Sequence, residues 1–384
     1  MSSKENENQV NKKQPEVLTI GFSLASLFDL EEMEKIYKEN GLRAYIDKLK
    51  SMDKNNECFN PGPALGLYMA FKNLKNQVPS DIIDIRFGIS SRNSPNSETD
   101  SIFRSMKKWI SDHSSDDLAK EWDYSHLLDG GDPLPYHKAQ GADLVFSTSH
   151  ESAMKYQKNG IASIYIPNIS PEKNMESYRR KDNKIVLVSD FDGVIGDVMS
   201  EVNYQNAKQI VGVNPLEVFR QNEHLNRGNP MQLGPLGNAV KKLGAIVDYF
   251  SELRIDGKIK PEDVPYKTIV VTARGGSAFE RFNITHRTYG INVTQAHLMD
   301  GRNKNLVLDI ISNENKNANI LFVDDGQVHF DRALELKDIL AGFVHNDFTT
   351  GKLKESGELT SALQKLKDQQ DVLKDAKNLS IKIK

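Results

Sequence analysis

The chain has 384 residues, of which 38% are hydrophobic and 27% charged, a composition typical of a globular protein long enough for two domains. Its 50 lysine and arginine residues against 53 aspartate and glutamate residues give a formal charge of -3, which argues against proteins that bind nucleic acid or membrane surfaces. A single cysteine, Cys58, excludes an intramolecular disulfide, and no apolar run approaches the roughly 18 residues of a membrane helix. We therefore expect a cytoplasmic protein.

The first half of the chain alternates apolar runs with stretches of helical spacing. Residues 1–16 are polar and predict a disordered lead-in. Strands are predicted for VLTIGF (17–22), IIDIRFGIS (82–90), GADLVFSTS (141–149) and GIASIYI (160–166). Between the first two strands, residues 30–50 and 60–77 have helical spacing. Strands that alternate with helices indicate a parallel sheet covered on both faces.

The second half repeats this order, with predicted strands KIVLVSD (184–190), YKTIVVTAR (266–274), NILFVDD (319–325) and ILAGFVH (339–345). Three pairs of segments recur in sequence: GPALG with GPLGN, GISSR with VVTAR, and DLVFSTS with ILFVDDG. Such fixed-order self-similarity predicts an internal duplication, although any two α/β domains share features of this kind. We predict an α/β fold of two Rossmann-like domains, residues 17–180 and 181–349, and a charged helical tail at 350–384.

The two halves differ at the ends of their strands. The second half ends strands in aspartate, whereas the first half has Ser23, Ser90, Ser147 and Thr148 at the corresponding places. If the carboxylates carry the chemistry, the first domain is catalytically inert.

The chemistry begins in the segment SDFDGV, where Asp190 and Asp192 directly follow a buried strand. Residues two apart in a strand point the same way, and in open α/β sheets ligands bind at the carboxyl ends of the strands. Two carboxylates this close repel each other unless a cation lies between them. Magnesium, a hard ion that takes oxygen ligands, is the expected cation.

Further polar residues end or precede the neighbouring strands. Asp324 and Asp325 end one strand and could complete the metal site, and Thr272 ends another and could donate to a phosphate oxygen. Lys304, in GRNK, precedes the strand that carries the aspartate pair. A carboxylate nucleophile, an acid/base, a hydroxyl, a cation and a metal site are what phosphoryl transfer through a phospho-aspartate needs.

Each residue also has a plain structural interpretation. Paired aspartates after a strand often form a turn or cap a helix, and a threonine is common in strands. Lys304 alone would most often be a solvated surface lysine. Arg274 could bind phosphate or substrate, or form a structural salt bridge. The order of the motifs, rather than any one of them, favours the catalytic interpretation.

Taken in order, DFDGV, VVTAR, the lysine of GRNK and FVDDG resemble the four motifs of the haloacid dehalogenase superfamily of phosphatases. The segments SLFDLEEMEKIYKENGLRAY, FNPGPALGLYMAFKNL, NPMQLGPLGNAVKKLG and VDDGQVHF are similar to the type I cytosolic 5'-nucleotidases, the AMP-preferring branch. The resemblance covers most of the chain from about residue 18 to residue 345. It implies two haloacid-dehalogenase-type domains, of which the second is catalytic.

The resemblance implies a role for each motif residue. Asp190 would be the nucleophile that forms an aspartyl-phosphate, and Asp192 the acid/base that protonates the leaving ribose oxygen and then activates water. Thr272 would bind phosphoryl oxygens and Lys304 would neutralise charge. Magnesium would be held by Asp190, by the backbone carbonyl of Asp192, and by the pair Asp324 and Asp325. The resemblance leaves open which member of this pair contacts the ion directly.

In this superfamily an insert after the first motif forms a cap, which here predicts a cap at about residues 197–233. Phe219 is predicted to stack on a nucleoside, and Arg220, Asn222, Glu223 and His224 to hydrogen-bond it, with Ala273 and Arg274 also near the substrate. His224 is better explained as a polar cap residue than as a metal ligand, since no second histidine lies at ligand spacing.

The function expected from these features is magnesium-dependent hydrolysis of nucleoside 5'-monophosphates, AMP or a related nucleotide. The alternatives are a phosphatase or phosphotransferase for another small ester such as a sugar phosphate, and a nucleotide-binding protein without turnover. Residues 129–138 are predicted to form a first-domain loop facing the site. The tail, with leucines at helical spacing, is predicted to pack on the body or on a second copy in a homo-oligomer.

Overall fold

A computed structural model describes residues 15–93, 100–110, 122–180, 183–208 and 214–355, together with Gln364 and Asp368. Most of the predicted lead-in and most of the predicted helical tail lie outside these residues.

Ten strands form one mixed α/β sheet, and all but one of the strand pairs are parallel. The strands are β1 (Glu16–Ser23), β2 (Ile83–Ser91), β3 (Tyr124–Leu127), β4 (Leu144–Ser147), β5 (Ser163–Tyr165), β6 (Ile185–Ser189), β7 (Tyr266–Thr272), β8 (Gln295–Leu298), β9 (Asn319–Asp324) and β10 (Ile339–Phe343).

The helices connect successive strands. They are α1 (Leu24–Leu27), α2 (Glu31–Lys54), α3 (Leu65–Gln77), α4 (Asp100–Trp109), α5 (Leu134–Ala139), α6 (His150–Lys158), α7 (Pro171–Tyr178), α8 (Met199–Lys208), α9 (Pro215–Leu225), α10 (Gly237–Ile255), α11 (Phe279–Tyr289), α12 (Asn305–Glu314), α13 (Gln327–Glu335) and α14 (Lys352–Glu355). Two short 3-10 helices lie at Pro261–Asp263 and Gly276–Ala278.

The strand order divides the sheet into two halves of the same topology. The order across the sheet is β3-β2-β1-β4-β5-β10-β9-β6-β7-β8. Numbered within its own half, each set of five strands runs 3-2-1-4-5, the order of a Rossmann-like half-sheet. The fifth strands meet in the one antiparallel pair, Phe343 with Tyr165, so the strands of the two halves run in opposite directions.

All eight predicted strands are present, and two short strands are additional. β3 and β8 were missed because YSHL and QAHL are brief, partly exposed and lack an apolar run. They are the two edge strands of the sheet, and an edge strand has a neighbouring strand on one side only, so it needs less burial than a central strand. The central strands β6 and β9 are buried along their whole length, which explains their continuous apolar sequences.

Each half makes an excursion from the sheet after its first strand. An isolated bridge between Phe28 and Pro61 closes the first excursion, which contains α2. A bridge between Gly196 and Leu233 closes the second, which contains α8 and α9. The second excursion spans the segment for which a cap was predicted, and it directly follows the residues at the end of β6.

The loop at 129–138 does not lie where the sequence analysis expected. It follows β3, which is separated from β9 by five strands, or roughly 29 Å at the usual strand spacing. Its hydrogen bonds reach Asn93 and Lys155, within the first half. The prediction that this loop faces the catalytic site is wrong, because the halves join through β5 and β10 and leave β3 at the far edge.

Among the described residues, no helix is both long and apolar enough to cross a membrane.

Candidate active site

The site is built where β6 and β9 end side by side. These strands pair in parallel, with Ser189 opposite Val323, so the residues that follow both strands emerge together. The Asp190 N–H donates to the Val323 carbonyl at 2.9 Å, and its Oδ1 accepts from the Phe191 N–H at 2.7 Å. Asp190 is therefore fixed in backbone and in side chain, and it is almost fully buried.

Three carboxylates converge at this point. One oxygen from each of Asp190, Asp324 and Asp325 lies within 4.8 Å of the other two. Asp324 Oδ1 accepts from the Gly326 N–H at 2.8 Å, and Asp325 Oδ2 accepts from the Asn346 amide at 2.5 Å. Oxygen donors that converge in this way can hold a metal ion, as the motif order predicted.

Lys304 is the cation of the cluster. It lies at the N-cap position of α12, is 1% exposed, and contacts Asp190 Oδ2 and Asp324 Oδ2 through Nζ, each at 2.7 Å. The interpretation as a solvated surface lysine is therefore wrong. A lysine buried between two carboxylates neutralises charge at the place where a transferring phosphoryl group would gain it.

Charge crowding shifts the acidity of the cluster. Burial raises the pKa of the Asp190 carboxyl above its usual value, which Lys304 opposes and Asp324 reinforces. Burial also raises the pKa of Asp325 well above its usual value, and the charges of Asp324 and Asp190 add to the rise. Burial alone would lower the pKa of Lys304, but the charges of Asp190 and Asp324 raise it. Carboxylates that resist ionising together suit a divalent cation.

Gly193 leaves room beside this cluster. Its φ of +68° lies in the left-handed region, and a Cβ there would fall 2.1 Å from Asp325 Oδ2 and 2.8 Å from the Asn346 amide nitrogen. The space next to Asp325 therefore exists only because residue 193 has no side chain. Together with the three convergent carboxylates, this cradle fits a small hard cation.

Asp192 lies outside the carboxylate cluster and forms a two-bond ion pair with the buried side chain of Arg274. Arg274 Nε donates to Asp192 Oδ2 at 2.8 Å and Nη2 donates to Asp192 Oδ1 at 2.6 Å. Burial raises the pKa of Asp192 above its usual value, while the charge of Arg274 opposes the rise. The salt-bridge interpretation of Arg274 is the one that the geometry favours.

Thr272 ends β7 and is fully buried. Its Oγ1 accepts a hydrogen bond of 3.3 Å from the Arg274 N–H, which leaves the hydroxyl proton free to donate elsewhere. Ala273 is exposed next to it, and its carbonyl accepts from the Gly301 N–H at 2.8 Å. Thr272 thus occupies the strand end from which the predicted phosphate contact would be made.

The α9 residues that were predicted to contact the nucleoside differ in burial. Glu223 is fully buried and faces Arg274 and Arg281 rather than an open site. Phe219 is half-buried, with its ring centroid 5.8 Å from the Arg274 guanidinium carbon. Arg220 forms an exposed ion pair of 3.3 Å with Asp300.

Asn222 and His224 contact their own helix end. The Asn222 carbonyl and side-chain oxygen both accept from the Asn226 amide, at 2.9 and 3.1 Å. His224 is exposed, and its carbonyl accepts from Arg227 at 2.8 Å. His224 therefore lies at the exposed end of α9, where its contacts are with Arg227 of the same segment.

Sequence reasoning missed Asn346, Ser200 and Arg281. Asn346 follows β10, so the rule that polar residues at strand ends converge could have identified it. Ser200 and Arg281 carry no comparable signal, because they lie on α8 and α11 and meet Glu223 only through tertiary packing.

The family model described as 5'-nucleotidase matches residues 10–350. The chain is similar to the curated protein cytosolic 5'-nucleotidase 1B of Homo sapiens, with 25% identity over 359 residues that cover 88% of this chain and 50% of that protein. The chain thus spans about half the length of that relative. No solved structure matches it.

Proposed function

The chain belongs to the 5'-nucleotidase family, and we propose that it hydrolyses nucleoside 5'-monophosphates to a nucleoside and inorganic phosphate. The observation that carries this proposal is the convergence of Asp190, Asp324 and Asp325 at the carboxyl ends of parallel strands, where the first two also contact the buried ammonium of Lys304. A preference for AMP rests on the resemblance of the sequence to the AMP-preferring branch. The relative's name, a cytosolic enzyme, supports a cytoplasmic location.

In the first step, a carboxylate oxygen of Asp190 attacks the phosphorus atom and the bond from phosphorus to the ribose 5' oxygen breaks. The Asp192 carboxyl gives its proton to that departing oxygen, which leaves a neutral nucleoside and an aspartyl-phosphate on Asp190. Lys304 is placed to neutralise the charge that gathers on the phosphoryl oxygens, and Thr272 to donate a hydrogen bond to one of them.

In the second step, Asp192 takes a proton from water, and the water oxygen attacks the phosphorus atom. The bond between Asp190 and phosphorus breaks, which releases phosphate and restores both carboxyl groups to their starting states. One acid/base thus serves both halves of the reaction.

Asp190, Asp324 and Asp325 would hold a magnesium ion, with the backbone carbonyl of Asp192 as a further candidate ligand. When bound, a magnesium ion lowers the repulsion between the phosphate and the carboxylates that surround it. The oxygen donor set and the cradle at Gly193 support this assignment.

The architecture of the whole chain fits a duplication, in which residues 17–180 and 181–349 descend from one haloacid-dehalogenase-type unit. The shared 3-2-1-4-5 strand order and the closed excursion after each first strand support it. In this proposal the second unit is catalytic, the insert at about 197–233 is its cap, and Phe219, Arg220 and Asn222 are candidates for nucleoside contacts.

The test is phosphate release from a panel of nucleoside monophosphates and sugar phosphates, with magnesium and with a chelator. We expect magnesium-dependent release from nucleotides by the wild-type protein alone and none by Asp190→Asn. A clear preference for a sugar phosphate, or nucleotide binding without release, would overturn the proposed function.

A further inference from the structure

A continuous set of buried charged groups joins the cap to Asp192. Arg274 follows β7, is 1% exposed, and grips Asp192 through Nε and Nη2. Its remaining nitrogen, Nη1, donates to Glu223 on the cap helix α9. Glu223 in turn accepts from Arg281 Nη1 and from the Ser200 hydroxyl, each at 2.8 Å. The acid/base is thus connected to the cap through a single arginine.

All three guanidinium nitrogens of Arg274 are engaged by protein groups. Each of its three guanidinium nitrogens already donates to a carboxylate, and Nη2 also contacts the Ser200 hydroxyl at 3.1 Å and the Met231 sulfur at 2.7 Å. The guanidinium also lies over the Phe191 ring, at 5.2 Å from its centroid. Because all three nitrogens are engaged and the guanidinium is buried, the geometry favours a role in holding its partners over a role in binding substrate.

The geometry of the contact fixes the direction of Asp192. Two parallel N–H···O bonds set the plane of a carboxylate as well as its distance, which one ammonium group cannot do. Asp192 lies two residues after Asp190, beyond the end of β6, where no strand pairing holds it. The Arg274 fork is therefore the constraint that aims the Asp192 carboxyl.

Glu223 makes that constraint depend on the cap. It is fully buried, and both its oxygens are engaged from three sides by Arg274, Arg281 and Ser200. Breaking a buried pair by removing one partner leaves an uncompensated charge, so α9 cannot move away without loosening Arg274.

We propose that Arg274 is a positioning residue that aims Asp192 at the leaving oxygen, and that Glu223 makes this aim depend on a docked cap. The inference rests on the proposed function, in which Asp192 is the acid/base. It differs from the sequence-based assignment of both residues to substrate binding.

A pair of substrates separates positioning from phosphate binding. The nucleoside leaving group is strongly basic and needs a proton from Asp192 as its bond to phosphorus breaks, whereas nitrophenolate leaves without one. A misaimed Asp192 therefore impairs phosphorylation of Asp190 by AMP but spares phosphorylation by p-nitrophenyl phosphate. It also slows the second step for both substrates, so the aspartyl-phosphate accumulates.

The central experiment is rapid-mixing kinetics of Arg274→Lys with both substrates at saturating magnesium. We expect kcat for AMP to fall about 10²- to 10³-fold with no adenosine burst. With p-nitrophenyl phosphate we expect a burst approaching one nitrophenolate per protein, at a rate within about tenfold of the wild type, followed by slow turnover. Equal loss of the first step with both substrates would mean that Arg274 binds phosphate, and the inference would fail.

Glu223→Gln tests the cap side without touching Asp192. We expect the same asymmetry between the two substrates, weaker than in Arg274→Lys, and an effect in the double variant smaller than the product of the two single effects. A rise in KM for AMP with an unchanged kcat would instead assign Glu223 to substrate binding and overturn its part of the inference.

Arg227→Gln is the matched control, because Arg227 follows the same cap helix but pairs with Glu280 on the surface. Its kinetics with both substrates are expected to match the wild type. Melting temperatures of all variants identify any that fail to fold. If the wild-type protein releases no nucleoside from any monophosphate, the proposed function fails and the inference with it. An active wild type with an unaffected Arg274→Lys variant overturns the inference alone.

Discussion

The two halves of the sheet share one topology and differ in what stands at the ends of their strands. Strand register defines equivalent positions without reference to sequence likeness. Ser91 pairs with Leu127 as Thr272 pairs with Leu298, so these strand ends correspond. Following the registers of the inner strands then matches three first-half residues with candidate site residues: Ser23 with Asp190, Ser147 with Asp324, and Thr148 with Asp325.

The lysine position follows the same correspondence. Asp129-Gly130 and Asp300-Gly301 all have positive φ, and a helix begins five residues after each aspartate. The N-cap residue is Pro133 in the first half and Lys304 in the second. The first half therefore lacks both the carboxylates and the cation that would balance them.

The comparison teaches that the scaffold does not need the charges. In the first half, Ser23 caps α1 by accepting from the Ser26 N–H at 3.2 Å, which satisfies the strand end locally. In the second half, Asp190 and Asp324 are satisfied by Lys304, which arrives from 20 residues before Asp324. The charged cluster is thus a feature of the second half that the same strand order in the first half does without, and four experiments test the contrast.

The largest effect is expected at the nucleophile. Asp190→Asn replaces the nucleophilic carboxylate with a neutral amide and should lower kcat by at least about 10⁴-fold, since residues of a covalent mechanism act as a unit. Ser23→Ala, at the equivalent first-half position, should leave turnover unchanged. Steady-state phosphate release checks both, and measurable turnover by Asp190→Asn would exclude the proposed intermediate.

Placing a carboxylate at Ser147, the first-half position that matches Asp324, tests whether Lys304 is needed to offset the cost of burying Asp324. Ser147 is 2% exposed, and Ser147→Asp buries a charge without a cation, so the free energy of unfolding should fall by about 3 kcal/mol. Ser147→Asn is the neutral control and should lose less. Urea denaturation measures both.

The same contrast predicts that Pro133→Lys partly restores the stability of Ser147→Asp. Failure of the added lysine to help would mean that the N-cap positions of the two halves are not equivalent.

A buried histidine distinguishes helix α5 of the first half from its counterpart α12 in the second half at low pH. His137 is fully buried in α5, where the second half has Leu308 at the matching distance from its N-cap residue. Burial, with a smaller contribution from His126, lowers the pKa of His137 to about 4 from its usual 6.5. The unfolded chain therefore takes up the proton first, and the stability present above pH 6.5 is lost as pH falls towards 4.

The loss should reach about 2 kcal/mol at pH 5. His137→Leu should flatten the pH dependence by that amount, as measured by urea denaturation at pH 7 and pH 5. An equally steep dependence in the variant would place the sensitivity at other groups.

The smallest effect is expected at a glycine that the first half does not need. Gly193→Ala should weaken magnesium activation about tenfold, because its Cβ would displace Asp325. Gly290→Ala is the matched control: it has φ +67°, against +68° for Gly193, and open space around its Cβ. It should cost about 1 kcal/mol of stability and leave the magnesium dependence unchanged. If the two variants need the same magnesium concentration for half-maximal activity, the proposed role of the space at Gly193 in metal binding is contradicted.

The strand ends illustrate which features of the fold could be predicted from the sequence. Eight strands were predicted within a few residues because a strand buried on both faces must be continuously apolar. The likeness of GISSR to VVTAR matched Ser90 with Thr272, whereas the registers match Ser91, since short similar segments do not fix a pairing to one residue. Edge strands and the position of the 129–138 loop were not predictable, because both depend on how the two half-sheets join.

The sequence by itself determined the alternation of strands and helices, the family, and the residue types that gather at the carboxyl ends of β6, β7 and β9. These features follow from local patterns, since the spacing of apolar residues that are close in sequence indicates which segments are buried and where each strand ends. Only the tertiary structure decided that Lys304 bridges Asp190 and Asp324, and that Arg274 holds Asp192 while Glu223 holds Arg274. These pairs are separated by 20 to more than 100 residues along the chain, and a salt bridge leaves no mark on the residues between its partners.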